Sequence, residues 1–274
     1  MNQSALFPAT LIISVYNHVP ALACILRALE LQTVPRFQII VSEDGASADL
    51  ARFVERLGLT RPRLKHLTQQ DRGFRKARAL NRAIQAADSD YLIFLDGDCV
   101  PHVRLIERHL RAAERTSICV GRRIHLGPRY SDRLIADPDF VRALARPVRY
   151  LLLAPVLHAD GIKNYELGFA SNALSRVLRS TSIPIVGCNF SCYRQALEDI
   201  NGFNEDFEES GVGEDSDIDW RLRGAGYRLK NIKFLAPVYH LHHPVTTISH
   251  RNYEMMKALQ AEGRYVCRNG LVKS

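Results

Sequence analysis

The chain has 274 residues, enough for one large or two small domains at about 100–200 residues each. Apolar residues make up 46% and charged residues 24% of it, which excludes a disordered tail, a collagen-like repeat or a coiled coil. The net charge is +8, from 37 Lys and Arg against 29 Asp and Glu, and only seven of the cations are lysines. Arginine is the planar, bidentate partner of phosphate groups. The balance therefore fits nucleic acid, an anionic membrane face or a phosphorylated small molecule, without choosing among them. The longest uncharged apolar run, 150–157, contains a proline and falls far short of the roughly 20 residues of a bilayer span. The first residues lack a basic stretch ahead of an apolar one, so a cytoplasmic chain is expected. Its six cysteines fall at no metal-binding spacing and are expected to be reduced.

Over the first 125 residues two periodicities alternate. Runs at 10–15, 37–42, 63–67, 91–95 and 118–120 are almost continuously apolar or β-branched, as strands covered on both faces must be. Between them, 21–31, 49–57, 75–86 and 102–113 carry apolar residues three and four apart, the spacing of amphipathic helices. Ser47 suits an N-cap and Pro101 a first helical position. Strands and helices joined by short connections predict a mostly parallel α/β sheet. From 126 to 184 the pattern loosens into arginine clusters (Arg142, Arg146, Arg149, Arg176, Arg179) among apolar residues, read as a helical insertion. Beyond it, regular structure resumes at 185–193, strands are expected near 227–234 and 237–240, and helices at 213–222 and 249–267. The division is thus 1–125, 126–184 and 185–274.

Ligands of such sheets bind beyond the carboxyl ends of the strands. That directs attention to Tyr16-Asn17, to Glu43-Asp44-Gly45 and, above all, to Asp96-Gly97-Asp98. Two carboxylates one residue apart suit Mg²⁺ or Mn²⁺, which take carboxylate oxygens together with substrate phosphates, and Gly97 allows a tight turn between them. An isolated Asp-x-Asp is also a common turn. Four cations crowd 72–78 at a helix start, where positive charge opposes the helix dipole, which suggests a bound phosphate or simply a solvated basic face. Four acids, Glu214, Asp215, Asp217 and Asp219, open another helix. For Asp217 and Asp219, capping and solvation are the simpler reading, whereas Glu214 or Asp215 could project into a cleft as a general base. His240, His242 and His243 end a strand and offer a metal ligand.

In order, TLIISVYNH, VSEDGAS, DRGFRKARALNRAI and FLDGDCV, followed by GCNFSCYR, INGFNEDF and VGEDSDIDWRLRGAGYRL, resemble an inverting family 2 glycosyltransferase of GT-A fold. The later half is similar to β-galactosyltransferases and chondroitin-type polymerases. The resemblance implies a nucleotide-sugar donor, UDP-linked before others, Mn²⁺ or Mg²⁺ as cofactor, and a glycan or lipid-linked acceptor of the cell envelope. It implies that Asp98 and His240 hold the metal, that Asp96 contacts the ribose side or assists, and that Asp44 and Tyr16 face the base. Arg78 would lie near base or diphosphate, Asn189 near the donor sugar, Asp215 would be the base and Glu214 an acceptor-binding carboxylate. The family's tryptophan-glycine lead-in to the acidic motif is replaced here by 210–213. Arginines 142–179 beside the 150–157 run could attach the chain to the inner membrane face, a buried core helix being an equal reading of that run, and no nucleic-acid partner is expected. The alternatives are a haloacid-dehalogenase-like phosphatase, whose aspartate motif normally follows the first strand, and a nonenzymatic basic nucleic-acid binder.

Overall fold

The computed structural model describes residues 7–57, 63–169, 183–210, 213–244 and 250–273. The four apolar runs that open the chain form β1 (Thr10–Val15), β2 (Gln38–Glu43), β3 (Leu64–Leu67) and β4 (Tyr91–Asp96). They are joined by α1 (Val19–Glu30), α2 (Ala48–Arg56) and α3 (Lys76–Ala86). Ser47 caps α2, its hydroxyl accepting from Leu50 N–H at 3.4 Å, as expected of a serine before an apolar-periodic segment. Successive β1 residues face opposite layers. Leu11, Ile13 and Val15 join the core beneath α1, and Ile12 joins the core beneath α3.

The sheet is completed by β6 (Ser117–Val120), β8 (Phe190–Tyr193) and β9 (Arg228–Asn231), in the order β3-β2-β1-β4-β8-β6-β9. All pairings are parallel except those of β8, which runs antiparallel between β4 and β6. A strand from the later half thus lies in the middle of the sheet. A buried polar chain fixes it there: Ser191 Oγ lies 2.6 Å from both the Tyr91 hydroxyl and His109 Nδ1, and His109 Nε2 lies 3.0 Å from Asn189 Oδ1.

A second sheet, of which the sequence marks only the strand at 237–240, consists of β5 (Cys99–Pro101), β10 (Val238–His240) and β7 (Arg123–His125). Pro101 is therefore not a helix start: it ends β5 opposite Val238, and α4 (Leu105–Ala112) begins four residues later. Three-residue strands have no periodicity to detect, and these pair across more than a hundred residues.

The stretch after β7 folds as α5 (Pro128–Ala136) and three short helices, α6 (Val141–Leu144), α7 (Pro147–Leu152) and α8 (Ala154–Ala159). Prolines at 138, 147 and 155 sit at the starts of turns or helices and keep each piece short. Tyr150 and Tyr165 lock them, each hydroxyl donating to the other's backbone carbonyl at 2.9 and 3.0 Å with the rings stacked. Arg176 and Arg179 lie outside the described residues. Among the described residues the remaining helices are α9 (Arg194–Glu198), α10 (Glu214–Gly224) and α11 (His250–Ala261). α11 stops short of the expected 267 because Gly263, at φ 63°, forms a Schellman end: Arg264 N–H bonds Leu259 O and Gly263 N–H bonds Gln260 O.

Candidate active site

Parallel register sets the strand ends side by side. Ser14 pairs with both Ser42 and Asp96, so Tyr16, Asp44 and the 96–98 turn emerge along one edge. There they border a cleft of about 800 Å³, whose lining also includes Lys76, Asp98 and His243. Gly97 is required at the turn. Its N–H donates to Ser14 O at 2.7 Å, and an added Cβ would meet that oxygen at 2.8 Å and Val15 Cγ2 at 3.0 Å. Asp44 answers the cationic helix start: it accepts from Arg75 N–H at 2.6 Å and from Gln69 Nε2 at 2.7 Å, putting an anion at the N-terminus of α3. Tyr16 is exposed at the rim, and its hydroxyl donates to Asp71 Oδ2 at 3.0 Å.

The two aspartates of the turn go to different partners. β10 runs beside β5, with His240 opposite Cys99, and Leu241 N–H donates to Asp98 O at 2.9 Å. That brings Asp98 Oδ2 within 3.4 Å of His240 Nε2 and 3.2 Å of His243 Nε2, with the two ring nitrogens 3.2 Å apart. One carboxylate and two imidazoles thus converge on a single point, with ligand atoms all within 4.8 Å of one another. Burial alone would raise the Asp98 carboxyl, but hydrogen bonds from both histidines hold it far below the usual carboxylate range. The Asp98 bond in turn raises His243. Behind them, burial and the neighbouring His240 pull His125 down to about 4, so it stays neutral while packing against the His240 ring.

Asp96 turns to Lys76, whose Nζ lies 2.8 Å from Asp96 Oδ1 and 3.1 Å from Glu214 Oε1. Burial opposes the charge on Lys76, yet the flanking carboxylates hold its ammonium well above the ordinary lysine range. Glu214 is pushed up by its burial, against the pull of Lys76. Asp215, half-buried, accepts from Gly187 N–H at 3.4 Å. A Cβ on Gly187 would sit 3.4 Å from Lys76 Nζ and 3.8 Å from Asp215 Cβ, so this glycine leaves open the space between them. Lys76 therefore ties the strand-end acids to the start of α10.

A model of glycosyl transferase family 2 matches residues 10–182, well over half of the chain. The chain belongs to glycosyl transferase family 2. A second model, the N-terminal domain of galactosyltransferase, matches 170–244 of this family 2 glycosyltransferase. It is 37% identical over 89 residues to validoxylamine A glucosyltransferase of Streptomyces hygroscopicus, covering 32% of this chain and 21% of that protein. It is 28% identical over 137 residues to glycosyltransferase AglD of Haloferax volcanii, covering 48% and 20%. The matched stretches thus span about a fifth of these relatives' lengths. Among solved structures, a mannosyltransferase from Pyrobaculum calidifontis in complex with GDP-Man and Mn²⁺ superposes with TM-score 0.56 and 19% identity, covering 94% of this chain and 63% of that one. A GalNAc transferase with UDP, GalNAc and Mn²⁺ gives TM-score 0.60 and 14% identity, covering 93% and 48%. These likenesses establish the GT-A fold.

Three residues that the sequence puts at the site of this glycosyltransferase lie elsewhere. Arg78 is exposed and lines a separate hollow of about 490 Å³ with Arg75, Arg82 and Lys273. Two residues of helix turn about 200°, so the helix that brings Lys76 to the cleft carries Arg78 away from it. Asn189 is buried in the core: its Nδ2 donates to Arg122 O and Ala236 O at 2.9 and 2.7 Å, and His109 holds its oxygen, leaving nothing for a sugar. Asn17, at φ 46°, lines a neighbouring hollow with Ser47 and Arg52. Asp96, the optional metal ligand, pairs with Lys76 and stands outside the Asp98 group. Asp217 is neither a cap nor solvated. It is fully buried in an ion pair with Arg221 at 2.6 Å.

Other residues at the cleft carry no distinguishing signal in the sequence. Lys76 was one of four cations in a basic run, and His243 one of three histidines; nothing in the local pattern ranked either. Asp132 and Ile135 of α5 also line the cleft, and Ser131 Oγ accepts from His242 N–H at 2.7 Å, so the insertion forms part of its wall. A buried carboxylate or amine needs a partner of opposite charge; that rule could have paired Lys76 with an acid, without saying which.

Proposed function

We propose that this glycosyltransferase moves a hexose or N-acetylhexosamine from a nucleotide-sugar to a hydroxyl of a glycan or lipid-linked acceptor in cell-envelope polysaccharide synthesis, inverting the anomeric centre. UDP is the first nucleotide to test and GDP the second, since each accompanies a relative of the same fold. The carrying observation is that the Asp98–His240–His243 group and the Asp96–Lys76–Glu214 chain reach one cleft through Asp98, His243, Asp96 and Lys76, with Asp215 near Lys76. One oxygen and two nitrogen donors converging in this way fit Mn²⁺ or a similar dication. When bound there, such an ion supplies positive charge against the diphosphate that leaves.

The chain's own residues account for the rest. Asp44 and Tyr16 border the cleft on the nucleotide side, and Asp44 orders the start of α3. Lys76, kept charged by two carboxylates, holds Asp96 and Glu214 in place across the cleft floor and adds a cation near the leaving group. Glu214, buried and raised, is suited to hydrogen-bond acceptor hydroxyls. Asp215 takes the proton from the attacking hydroxyl on the face opposite the leaving group, so a single displacement inverts the centre.

The test is calorimetry of UDP and GDP binding with and without Mn²⁺, followed by NMR of the anomeric product. Metal-dependent nucleotide binding that Asp98→Ala abolishes, together with an inverted product, is expected. Binding indifferent to both metal and Asp98→Ala would overturn the reading.

A further inference from the structure

Residues 141–159 of the insertion carry no acid, yet hold three arginines and an apolar stripe. Positions 148, 151, 152, 155 and 156 recur at the three-and-four spacing by which a helix normally faces a core. Here that stripe faces water: Val148 is 71%, Leu151 58%, Leu152 75% and Val156 47% exposed. The core is served instead by the other side, through Leu144, Tyr150 and Leu157, all buried. α7 and α8 are therefore apolar on two faces, of which the protein uses one. Beside the exposed face, Arg142, Arg146 and Arg149 are exposed and have no side-chain hydrogen bond or ion pair among the described residues.

We propose that this face docks the protein on a bilayer surface containing anionic lipid, the leucines entering the interface and the arginines meeting the headgroups. Adjacent leucines and unneutralised arginines on one face are the combination that a peripheral membrane segment uses. A nucleic acid would use the arginines and leave the leucines in water. An apolar peptide would use the leucines and leave three cations unmatched. The same insertion forms a wall of the cleft through Asp132 and Ile135. On the reading of sugar transfer given above, a lipid-linked acceptor in that bilayer would be held near the cleft. The docking itself does not depend on that reading.

The test is co-sedimentation with phosphatidylcholine vesicles, with and without phosphatidylglycerol, at low and high salt, in the absence of any sugar donor. Binding that needs phosphatidylglycerol and weakens with salt is expected. Leu151→Ser with Leu152→Ser should weaken it by at least about tenfold. Arg142→Ser, Arg146→Ser and Arg149→Ser together should weaken it by about 100-fold and remove the salt dependence. If the double leucine variant loses its cooperative melt, Leu152→Ser alone carries the test. No binding to anionic vesicles overturns the proposal. So does binding that only the arginine variant weakens, which marks a soluble polyanion partner. A wild-type dimer that the leucine variant turns into monomer, with no vesicle binding, assigns the face to a second copy. A chain that binds vesicles but transfers no sugar would keep this proposal and remove the previous one.

Discussion

The two acidic clusters of this glycosyltransferase look alike in sequence and differ in how their charges are matched. In the 96–98 turn, Gly97 packs against β1 and the flanking aspartates part, one to a lysine and one to a pair of imidazoles. In the 214–219 cluster the first two acids lie near Lys76, Glu214 paired with it at 3.1 Å. Asp217 lies in the core against Arg221, which also donates to Ile200 O at 2.7 Å, and Asp219 accepts from Ile185 N–H at 2.8 Å. An acid's role is thus set by the group that the fold brings to it, not by its place in a run of acids.

That contrast breaks most sharply at Asp215. Asp215→Asn should lower kcat by about 10²–10⁴ while leaving donor affinity and melting temperature near wild type. Steady-state kinetics with calorimetry would show it, and near-normal kcat would move the base elsewhere. Asp217→Ala should do the reverse. Leaving Arg221 buried and unpaired costs about 3–5 kcal/mol of stability, visible in denaturant unfolding. Activity lost without loss of stability would mean that the interior acid also serves the cleft.

The histidines divide in the same way, between the metal-capable group and the interior. Burial pulls His109 down to about 4, so it is neutral in the folded state. Unfolded, it takes up a proton near the ordinary 6.5, and between the two values the unfolded chain binds more protons. Its contribution is therefore complete above about pH 6.5 and is lost as pH falls toward 4, about 2 kcal/mol by pH 5. Thermal unfolding across that range measures it, and His109→Gln should flatten the slope. Gly97→Ala should cost about 1–3 kcal/mol, because its new methyl meets the backbone of β1. The smallest effect is expected at Arg223→Ala. Its partly exposed pair with Asp219 at 2.8 Å should be worth less than about 1 kcal/mol.

Local pattern was enough for the large-sheet strands and the helices of the first half, within a residue or two except at α4, but left β5 and β7 unmarked. Continuous apolar runs and three-to-four spacing are local properties that burial on two faces or one imposes directly. It also pointed to the strand ends, and it named Asp98, His240, Asp96 and Glu214 as residues to watch. Which groups meet is set by long-range contacts. The small sheet that carries His240 to Asp98 consists of three-residue strands paired across more than a hundred positions, which leaves no local trace. Whether Lys76 or Arg78 faces the cleft depends on the phase of one helix against one sheet, and Asn189 was drawn into the core by three hydrogen-bond partners from distant segments. Pattern fixes what each segment must bury; the electrostatic partners of a charged side chain are settled by contacts that no stretch of sequence contains.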